Sequence, residues 1–424
     1  MISRCKRSAV SRSWLVLRSL LLLLLAGPAG VAQDFTQRGY FESRNFIYPQ
    51  TAPGDSGRLV SEGLLRWEAG YKFAAWLRGN LSLDARTDSH RQFEREPRLD
   101  WRDRSLLRPA FSARRFSLIL NRSNWTIELG RQFIRWGKAD LLNPTDRFAP
   151  RDFLNLVNTD YLGVTATRAT WERGGNTLDF VWAPIFTPSR TPLLAQRWAP
   201  LPEEAESLRL RDFGARYPQR HQAGLRFNRI GGSGYELSLS YFEGNNHLPL
   251  FDTRLRTVPD FTLDLQRYYA HMRMYGADAA VPLRWFTLKG EAAFFSSHTD
   301  SADHYLQYVV QAERQSGEWF FVGGYAGEYV TLRRSQLDFA PDRGIARTFL
   351  GRASYNLDAN RSIAWEGALR QNGTGGFARF EYSHMLGSRW RATASFAYLA
   401  GREDDFFGQF RRNSHAALTI RYSF

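Results

Sequence analysis

Apolar and polar residues alternate with a period of two along most of this chain. Phe116, Leu118 and Leu120 alternate with polar or small residues on one side of Asn121-Arg122-Ser123-Asn124, and Trp125, Ile127 and Leu129 do so on the other. Successive side chains of a strand point to opposite faces, so this period predicts β-strands with one apolar face. The stretches are about ten residues long, which is the length a tilted strand needs to cross a bilayer.

The alternating stretches come as hairpins joined by short polar turns. These turns are expected near Ala69-Gly70 and at 121–124, 173–176, 230–234, 281–283, 315–317, 358–360 and 386–388. The connections between hairpins are longer and more charged, for example 87–111, 137–160 and 187–219. Eight hairpins, with a first strand at about 36–47 and a last strand at 413–424, predict a barrel of about 18 strands, with 16 as the next choice.

Both ends of the chain favour export. Residues 1–32 have a basic start, the apolar run Leu20–Leu25 and a small-residue tail, which is the pattern of a secretory signal peptide cleaved after Ala32. At the other end, Leu418, Ile420 and Tyr422 alternate up to Phe424. This ending is similar to the closing strand of outer-membrane barrels, whose final Phe is read by the barrel-assembly machinery.

The sequence thus predicts an all-β transmembrane antiparallel β-barrel over 33–424, in the outer membrane of a Gram-negative bacterium. Both termini and the short turns are expected in the periplasm, and the long loops outside. An aromatic content of 15% suits the girdles of such a barrel. A soluble β-sandwich is the alternative, but it needs no signal peptide, girdle or terminal Phe.

Charge and cysteine content narrow the function further. Removing the signal peptide lowers the formal charge from +15 to +10 and takes away Cys5, the single cysteine. The mature chain therefore has no disulfide or thiolate metal site. A basic balance favours anionic solutes in the pore, or binding to the acidic groups of lipopolysaccharide, and an exported chain does not meet cytoplasmic nucleic acid.

If the apolar face of each strand meets lipid, the opposite face lines the lumen. The predicted lumen-lining residues are charged: Glu128, Asp179, Arg226, Lys289, Glu291, Arg352, Arg370, Arg379 and Arg421. Charged positions on this face suit a water-filled pore. The alternative is that they form salt-bridge ladders that only stiffen the wall.

Alternation stops at Trp136, where a Gly, Asn-Pro, Thr-Asp and Pro series begins a structured loop. Here the chain resembles a largely uncharacterised family of bacterial outer-membrane barrels that is distantly similar to alginate-export porins. The matching positions are Gly130, Arg131, Gln132, Trp136, Gly137, Asn143, Pro144, Asp146, Pro150 and Asp152. The resemblance implies an inward loop, 137–160, that constricts the pore. We assign Arg131, Arg135, Lys138, Asp146, Arg147, Arg151 and Asp152 to this constriction; an external loop packed by its own ion pairs is the alternative.

No catalytic motif is present in a suitable strand context, so we expect no enzyme, cofactor or metal site. His298 and His304 flank a polar loop with Ser301, which leaves an outer-membrane hydrolase as a remote alternative. The predicted function is a porin-like channel for passive diffusion of small solutes, with a preference for anionic ones. The alternatives are an export conduit for an acidic exopolysaccharide and a plugged structural or assembly barrel.

Overall fold

In a computed structural model of the protein, residues 34–90, 92–96, 99–200, 209–256, 262–334 and 339–424 are described, and most of them are in strands. The predicted signal peptide lies outside the described residues. No helix in the described ranges is long and apolar enough to span a membrane.

The strands of the described residues are as follows in chain order. They are β1 (Phe35–Ile47), β2 (Leu59–Ala74), β3 (Leu77–Asp88), β4 (Leu99–Asp100), β5 (Phe111–Arg122), β6 (Trp125–Gln132), β7 (Arg151–Asp152), β8 (Asp160–Tyr161), β9 (Val164–Arg173), β10 (Asn176–Ala183), β11 (Arg209–Arg216), β12 (Gln222–Ile230), β13 (Glu236–Asn245), β14 (Leu250–Arg256), β15 (Thr262–Tyr268), β16 (His271–Pro282), β17 (Thr287–Ser296), β18 (His304–Ser316), β19 (Trp319–Leu332), β20 (Thr348–Asn356), β21 (Arg361–Arg370), β22 (Gly375–Leu386), β23 (Trp390–Gly401) and β24 (His415–Ser423). A short helix α1 (Pro341–Gly344) and a 3₁₀ helix (Gly408–Asn413) lie in two of the connections.

One sheet of 19 strands closes on itself. The two-residue strand β4 is a parallel addition beside β5, and the remaining 18 strands pair with their neighbours in antiparallel ladders. Closure is made by β1 and β24, which pair from Tyr40 with Ser423 to Ile47 with Ala416. The expected 18-strand antiparallel barrel is confirmed. Outside the barrel wall, β11, β14 and β15 form a small sheet, and β7 pairs with β8.

Seven of the eight expected turns lie where the sequence places them, and the eighth is displaced. The turn expected near Ala69-Gly70 is wrong, because β2 continues to Ala74 and turns at Ala75 and Trp76. Gly70 pairs with Thr36 on one side and Asn80 on the other, so it is an interior strand residue. Ala75 and Trp76 are not turn-forming residue types, so the sequence carried no local signal for the true turn.

The two faces of the wall differ in chemistry. Large apolar side chains such as Phe41, Leu239, Phe380 and Leu418 are exposed on the outward face. The ladders place charged residues on the inward face, where Glu291 stands opposite Asp278 of the next strand. This is the arrangement of a barrel with apolar surroundings and a polar lumen.

Glycine is required at the seam where the barrel closes. The backbone N–H groups of Gly39 and Phe424 each donate a hydrogen bond of 2.9 Å to the other's carbonyl. The Phe424 ring lies over Gly39, and a Cβ there would come within 2.6 Å of both the ring and the Arg66 carbonyl oxygen. A side chain at position 39 would therefore clash with these groups and disfavour the pairing of β1 with β24 that closes the barrel.

Candidate functional site

The chain between β6 and β8, residues 133–159, folds against the inward face of the barrel wall, and we call it the inward segment. Its aromatic residues provide much of the contact. Trp136 and Phe148 are 1% exposed and meet edge to face with ring centroids 5.2 Å apart, and Phe148 packs in the same way on Phe242 of β13. Gly224 leaves the room they need, since a Cβ there would lie 2.7 Å from both rings.

Glu291 of β17 anchors the tip of the inward segment. Its carboxylate accepts hydrogen bonds from the Thr145 backbone N–H and hydroxyl, both at 2.8 Å. Its other oxygen accepts from the backbone N–H groups of Lys138 at 3.1 Å and Ala139 at 3.3 Å. Gly137 has a positive φ of 86° and passes so close to this carboxylate that a Cβ would meet it at 2.6 Å. One wall carboxylate therefore satisfies four donors of the segment.

Two further contacts attach the same tip to neighbouring strands. The Gln311 side chain on β18 accepts from the Asp140 backbone N–H at 2.9 Å and donates to the Asp140 carboxylate at 2.7 Å. Lys138 forms an ion pair of 2.6 Å with Glu236 on β13. The segment is thus fixed across several strands on one side of the lumen.

A buried ion cluster holds the other end of the inward segment. Asp152 is fully buried and accepts hydrogen bonds from Arg108 at 2.8 and 3.1 Å and from Arg190 at 2.9 Å. Arg190 also pairs with Asp103, which in turn binds Arg131 at 2.6 Å. Burial opposes the charged form of Asp152, but the two guanidinium groups outweigh it and hold the pKa of this carboxyl below its ordinary value. This cluster joins the inward segment to the loops around Asp103 and Arg190.

A cavity of about 380 Å³ remains between the inward segment and the wall. The segment contributes Asp140, Asp146, Arg147 and Arg151 to its lining. The opposite wall contributes residues of β19 to β23, listed here together: Phe320, Val322, Leu350, Arg352, Glu366, Ala368, Phe377 and Leu399. The space for a solute therefore lies on one side of the lumen, with charges on both borders.

The seven residues assigned to the constriction fall into two groups. Asp146, Arg147 and Arg151 border the cavity. Arg147 lies 3.5 Å from Asp342, and the Arg151 guanidinium lies over the Tyr161 ring.

Arg131, Arg135, Lys138 and Asp152 are not part of the cavity lining within the described residues. Arg131 is 4% exposed and shares the strand face of Phe116, which is the outward face. Arg135 pairs with Asp146 at 3.1 Å, and Lys138 and Asp152 are in the contacts described above. Arg135, Lys138 and Asp152 hold the inward segment in place, whereas Arg131 binds the Trp101 carbonyl oxygen and Asp103, which lie outside the segment.

All nine predicted lumen-lining residues share the inward face in the strand ladders. Most of them have partners: Glu128 with Arg115, Asp179 with Arg168, Arg226 with Asp278, Lys289 with Glu313, Arg370 with Asp405, Arg379 with Glu381 and Arg421 with Glu42. Glu291 binds the inward segment. Arg352 borders the cavity and, within the described residues, has no carboxylate within 4 Å.

The histidines of the polar loop make other contacts. The His298 ring stacks on His271 at 4.9 Å, and His304 Nε2 lies 3.0 Å from the Ser297 carbonyl oxygen. The Ser301 hydroxyl lies 2.6 Å from that of Tyr268. This geometry does not pair Ser301 with a histidine base.

Comparisons with known proteins bear on the fold. The barrel of a BenF-like porin from Pseudomonas fluorescens Pf-5 matches with a TM-score of 0.53 at 10% sequence identity, over 93% of this chain and 100% of that one. OccAB4 of Acinetobacter baumannii matches with a TM-score of 0.51 at 8% identity, over 94% of this chain and 100% of that one. No protein-family model matches the chain, and no curated protein matches its sequence. The chain therefore has a porin-like barrel fold, and the likeness to alginate-export porins stays a prediction.

Sequence reasoning missed the residues that fix the inward segment. Thr145 and Gln311 are neutral, and nothing in the alternation separates Gln311 from any other polar inward position. Asp103 and Arg190 lie in loops far apart in sequence, so their contact with Asp152 follows only from the closed barrel. Gly137 before an Asn-Pro turn was the available signal of a backbone that passes close to another group.

Proposed function

We propose that the protein is an outer-membrane channel for passive diffusion of small solutes, with a preference for anionic ones. A closed barrel with an apolar outward face and a charged inward face supports the membrane location. The fold shared with the BenF-like porin supports a channel. Export through the signal peptide and assembly through Phe424 are part of this proposal.

The anionic preference is carried by an uneven distribution of charge around the wall. Strands β20 to β24 point five arginines inward, Arg352, Arg370, Arg379, Arg391 and Arg421, against two acids, Glu366 and Glu381, for a net charge of +3. Strands β20 to β23 border the cavity that the inward segment leaves free, and Arg352 lines it.

The opposite side of the wall is acidic and covered. From β9 to β18 the inward face carries three basic residues, Arg168, Arg226 and Lys289, against six acids, Glu172, Asp179, Glu236, Asp278, Glu291 and Glu313, for a net charge of −3. The inward segment lies on this side and binds Asp179, Glu236 and Glu291. Because the acidic side is covered, a permeant meets mainly the basic side, and anions are concentrated there.

The inward segment also favours small permeants over a polymer. It is attached to the wall at Glu291 and at Gln311, so it reduces the open cross-section permanently. Asp146, Arg147 and Arg151 form its border with the passage, and we assign the constriction to them. An acidic exopolysaccharide would need the segment to move aside.

Ion selectivity tests the proposal. In planar bilayers with a KCl gradient, the channel is expected to favour chloride over potassium. The double variant R352Q/R379Q is expected to lower that preference severalfold, because it removes two charges from the free side of the wall. The double variant R102Q/R254Q removes two charges from exposed positions outside the barrel wall and serves as the control. A cation-selective pore, or equal selectivity in both variants, would contradict the proposal.

Conductance tests the constriction separately. R147A and R151A are expected to raise single-channel conductance, since both side chains border the cavity. Unchanged conductance and selectivity in these variants would remove the constriction from the proposal.

A further inference from the structure

A basic residue stands at each of the eight short turns, all of which lie in the described part of the chain. Arg122, Arg173, Arg229, Arg314 and Arg361 are at strand ends, and Arg284 and Arg389 are within turns. Lys72, near the end of β2, completes the set. All eight side chains are exposed. At the other end of the barrel, the connections 297–303 and 371–374 contain no lysine or arginine.

The five arginines at strand ends belong to the outward face of the wall. Arg122 pairs directly with Trp125, and Arg314 pairs with Phe321, both of which are exposed on that face. Arg229 pairs with Leu237, which is 48% exposed. Arg173 and Arg361 each stand two residues from an outward-facing residue, Trp171 and Ile363. These charges therefore point to the surroundings of the barrel and not into its lumen.

An aromatic girdle lies beside these basic residues. Trp125, Trp285, Trp319 and Trp390 are each 41 to 60% exposed at the same end of the barrel. The Trp285 ring lies 5.1 Å from the Arg284 guanidinium and 5.7 Å from that of Arg314. Exposed Trp marks the depth at which apolar chains give way to headgroups. In the ladders Arg122 is level with Trp125, and Arg314 pairs two residues farther from its turn than Trp319, so the arginines stand at the level of the girdle.

The basic residues at this end are largely without carboxylate partners. Within the described residues, Arg122, Arg173, Arg229 and Arg314 have no carboxylate within 4 Å, whereas Arg361 pairs with Asp358 at 2.6 Å. Arginines of the lumen are nearly all paired, as Arg66 is with Asp84. Outward arginines at the edge of an apolar band thus have guanidinium groups available to an external anion.

We call the eight basic residues at the short turns the basic rim. We propose that the basic rim binds the phosphate groups of anionic phospholipids in the leaflet at the short-turn end. The inference rests on the membrane location proposed above and goes beyond it by naming a lipid class. Each arginine near the surface is expected to favour an anionic over a zwitterionic headgroup about fivefold. An acidic soluble partner fits less well, because it would not approach side chains that lie against the apolar band.

The test measures which lipid lies next to the girdle. The purified full chain is reconstituted in vesicles of phosphatidylcholine and phosphatidylglycerol, with one or the other lipid brominated, and tryptophan fluorescence is recorded. Quenching by either brominated lipid reports membrane insertion, and the ratio of the two reports lipid preference. The proposed membrane location and the lipid inference can therefore fail independently.

Three variants make the outcome decisive. The variant R122Q/R173Q/R229Q/R314Q/R361Q is expected to lose most of the phosphatidylglycerol preference, and its five-lysine counterpart is expected to keep it. The variant R58Q/R102Q/R211Q/R254Q/R256Q removes the same charge from exposed positions at the long-loop end and is expected to match the wild type. The wild-type preference should fall as salt is added, since these charges are exposed.

Equal quenching of the wild type by brominated phosphatidylcholine and by brominated phosphatidylglycerol would overturn the inference. So would a preference that the five-glutamine variant retains. If that variant does not insert, the five-lysine variant decides, because its loss of preference would show that charge at these positions does not select the lipid.

Discussion

Replacing Glu291 by alanine is expected to release the inward segment from the wall. The carboxylate accepts four hydrogen bonds, from Thr145 through its backbone and hydroxyl and from the backbone of Lys138 and Ala139. Alanine removes every one of these acceptors. The aromatic contacts of Trp136 and Phe148 remain, so the segment should loosen at its tip and not leave the barrel.

The size of the effect follows from the two short bonds. A hydrogen bond to a charged group contributes about 1.5 kcal/mol at the low end of its range, so the Thr145 pair contributes about 3 kcal/mol. A change of about 3 kcal/mol shifts the balance between attached and released segment by roughly 150-fold.

E291Q is expected to be intermediate. Both Thr145 donors bind Oε1, and the other two bind Oε2, so a glutamine oxygen at the first site keeps one pair. Its amide group would then face the N–H groups of Lys138 and Ala139 and accept from neither.

Single-channel recording and limited proteolysis measure the release. E291A should raise the single-channel conductance and the noise of the open-channel current, and it should expose the segment around Thr145 to protease. E291Q should lie between E291A and the wild type in each measurement. E366A removes an inward carboxylate that borders the cavity opposite the segment, and it should leave protease sensitivity unchanged. Wild-type conductance and wild-type proteolysis in E291A would refute the anchoring role of Glu291.

Three other perturbations have expected outcomes. G39V should lower the temperature at which the barrel unfolds on a gel, because overpacking at the seam costs about 1–3 kcal/mol. G323A should be neutral, because no atom beyond its chain neighbours lies within 4 Å of the added Cβ. Equal melting of the two variants would contradict the seam geometry. Burial lowers the pKa of His247 to about 4 from an ordinary 6.5. The loop that contains His247 should therefore be fully stable above about pH 6.5 and lose stability as the pH falls toward 4. Hydrogen exchange should show this loss in the wild type and not in H247Q. R190Q removes a charged partner from the buried carboxylates of Asp103 and Asp152, at a cost of about 3–5 kcal/mol. It should make the outer loops sensitive to protease while the barrel unfolds at the wild-type temperature. Protease-resistant loops in R190Q would show that the ion cluster is not needed to hold them.

Strand alternation and turn chemistry were enough to predict the barrel, because both are local. The turn at 121–124 carries Asn and Ser between two alternating stretches, and β5 and β6 meet there. The turn at Ala75 and Trp76 has no such residues, and it was misplaced to Gly70. The inward face was predictable for the same reason, since Glu291 and Arg352 follow from the period alone.

For the candidate site, the sequence predicted which segment leaves the barrel wall but not the contacts of its charged residues. The segment after Trp136 was recognised because alternation stops there, but the sequence does not record which of its charges meet the wall and which meet the passage. Arg131 and Arg151 are alike in type, yet one is buried against Asp103 and the other borders the cavity. That difference depends on loops brought together by closure of the barrel, which no local pattern encodes.

The reversal potential of the purified wild-type protein in a planar bilayer with a KCl gradient tests directly whether the barrel is an anion-preferring channel. A steady ohmic conductance whose reversal potential shows chloride preference is the expected result, because strands β20 to β23 border the cavity that the inward segment leaves free and Arg352 lines it. A closed barrel, or a conductance that favours potassium, would contradict the account.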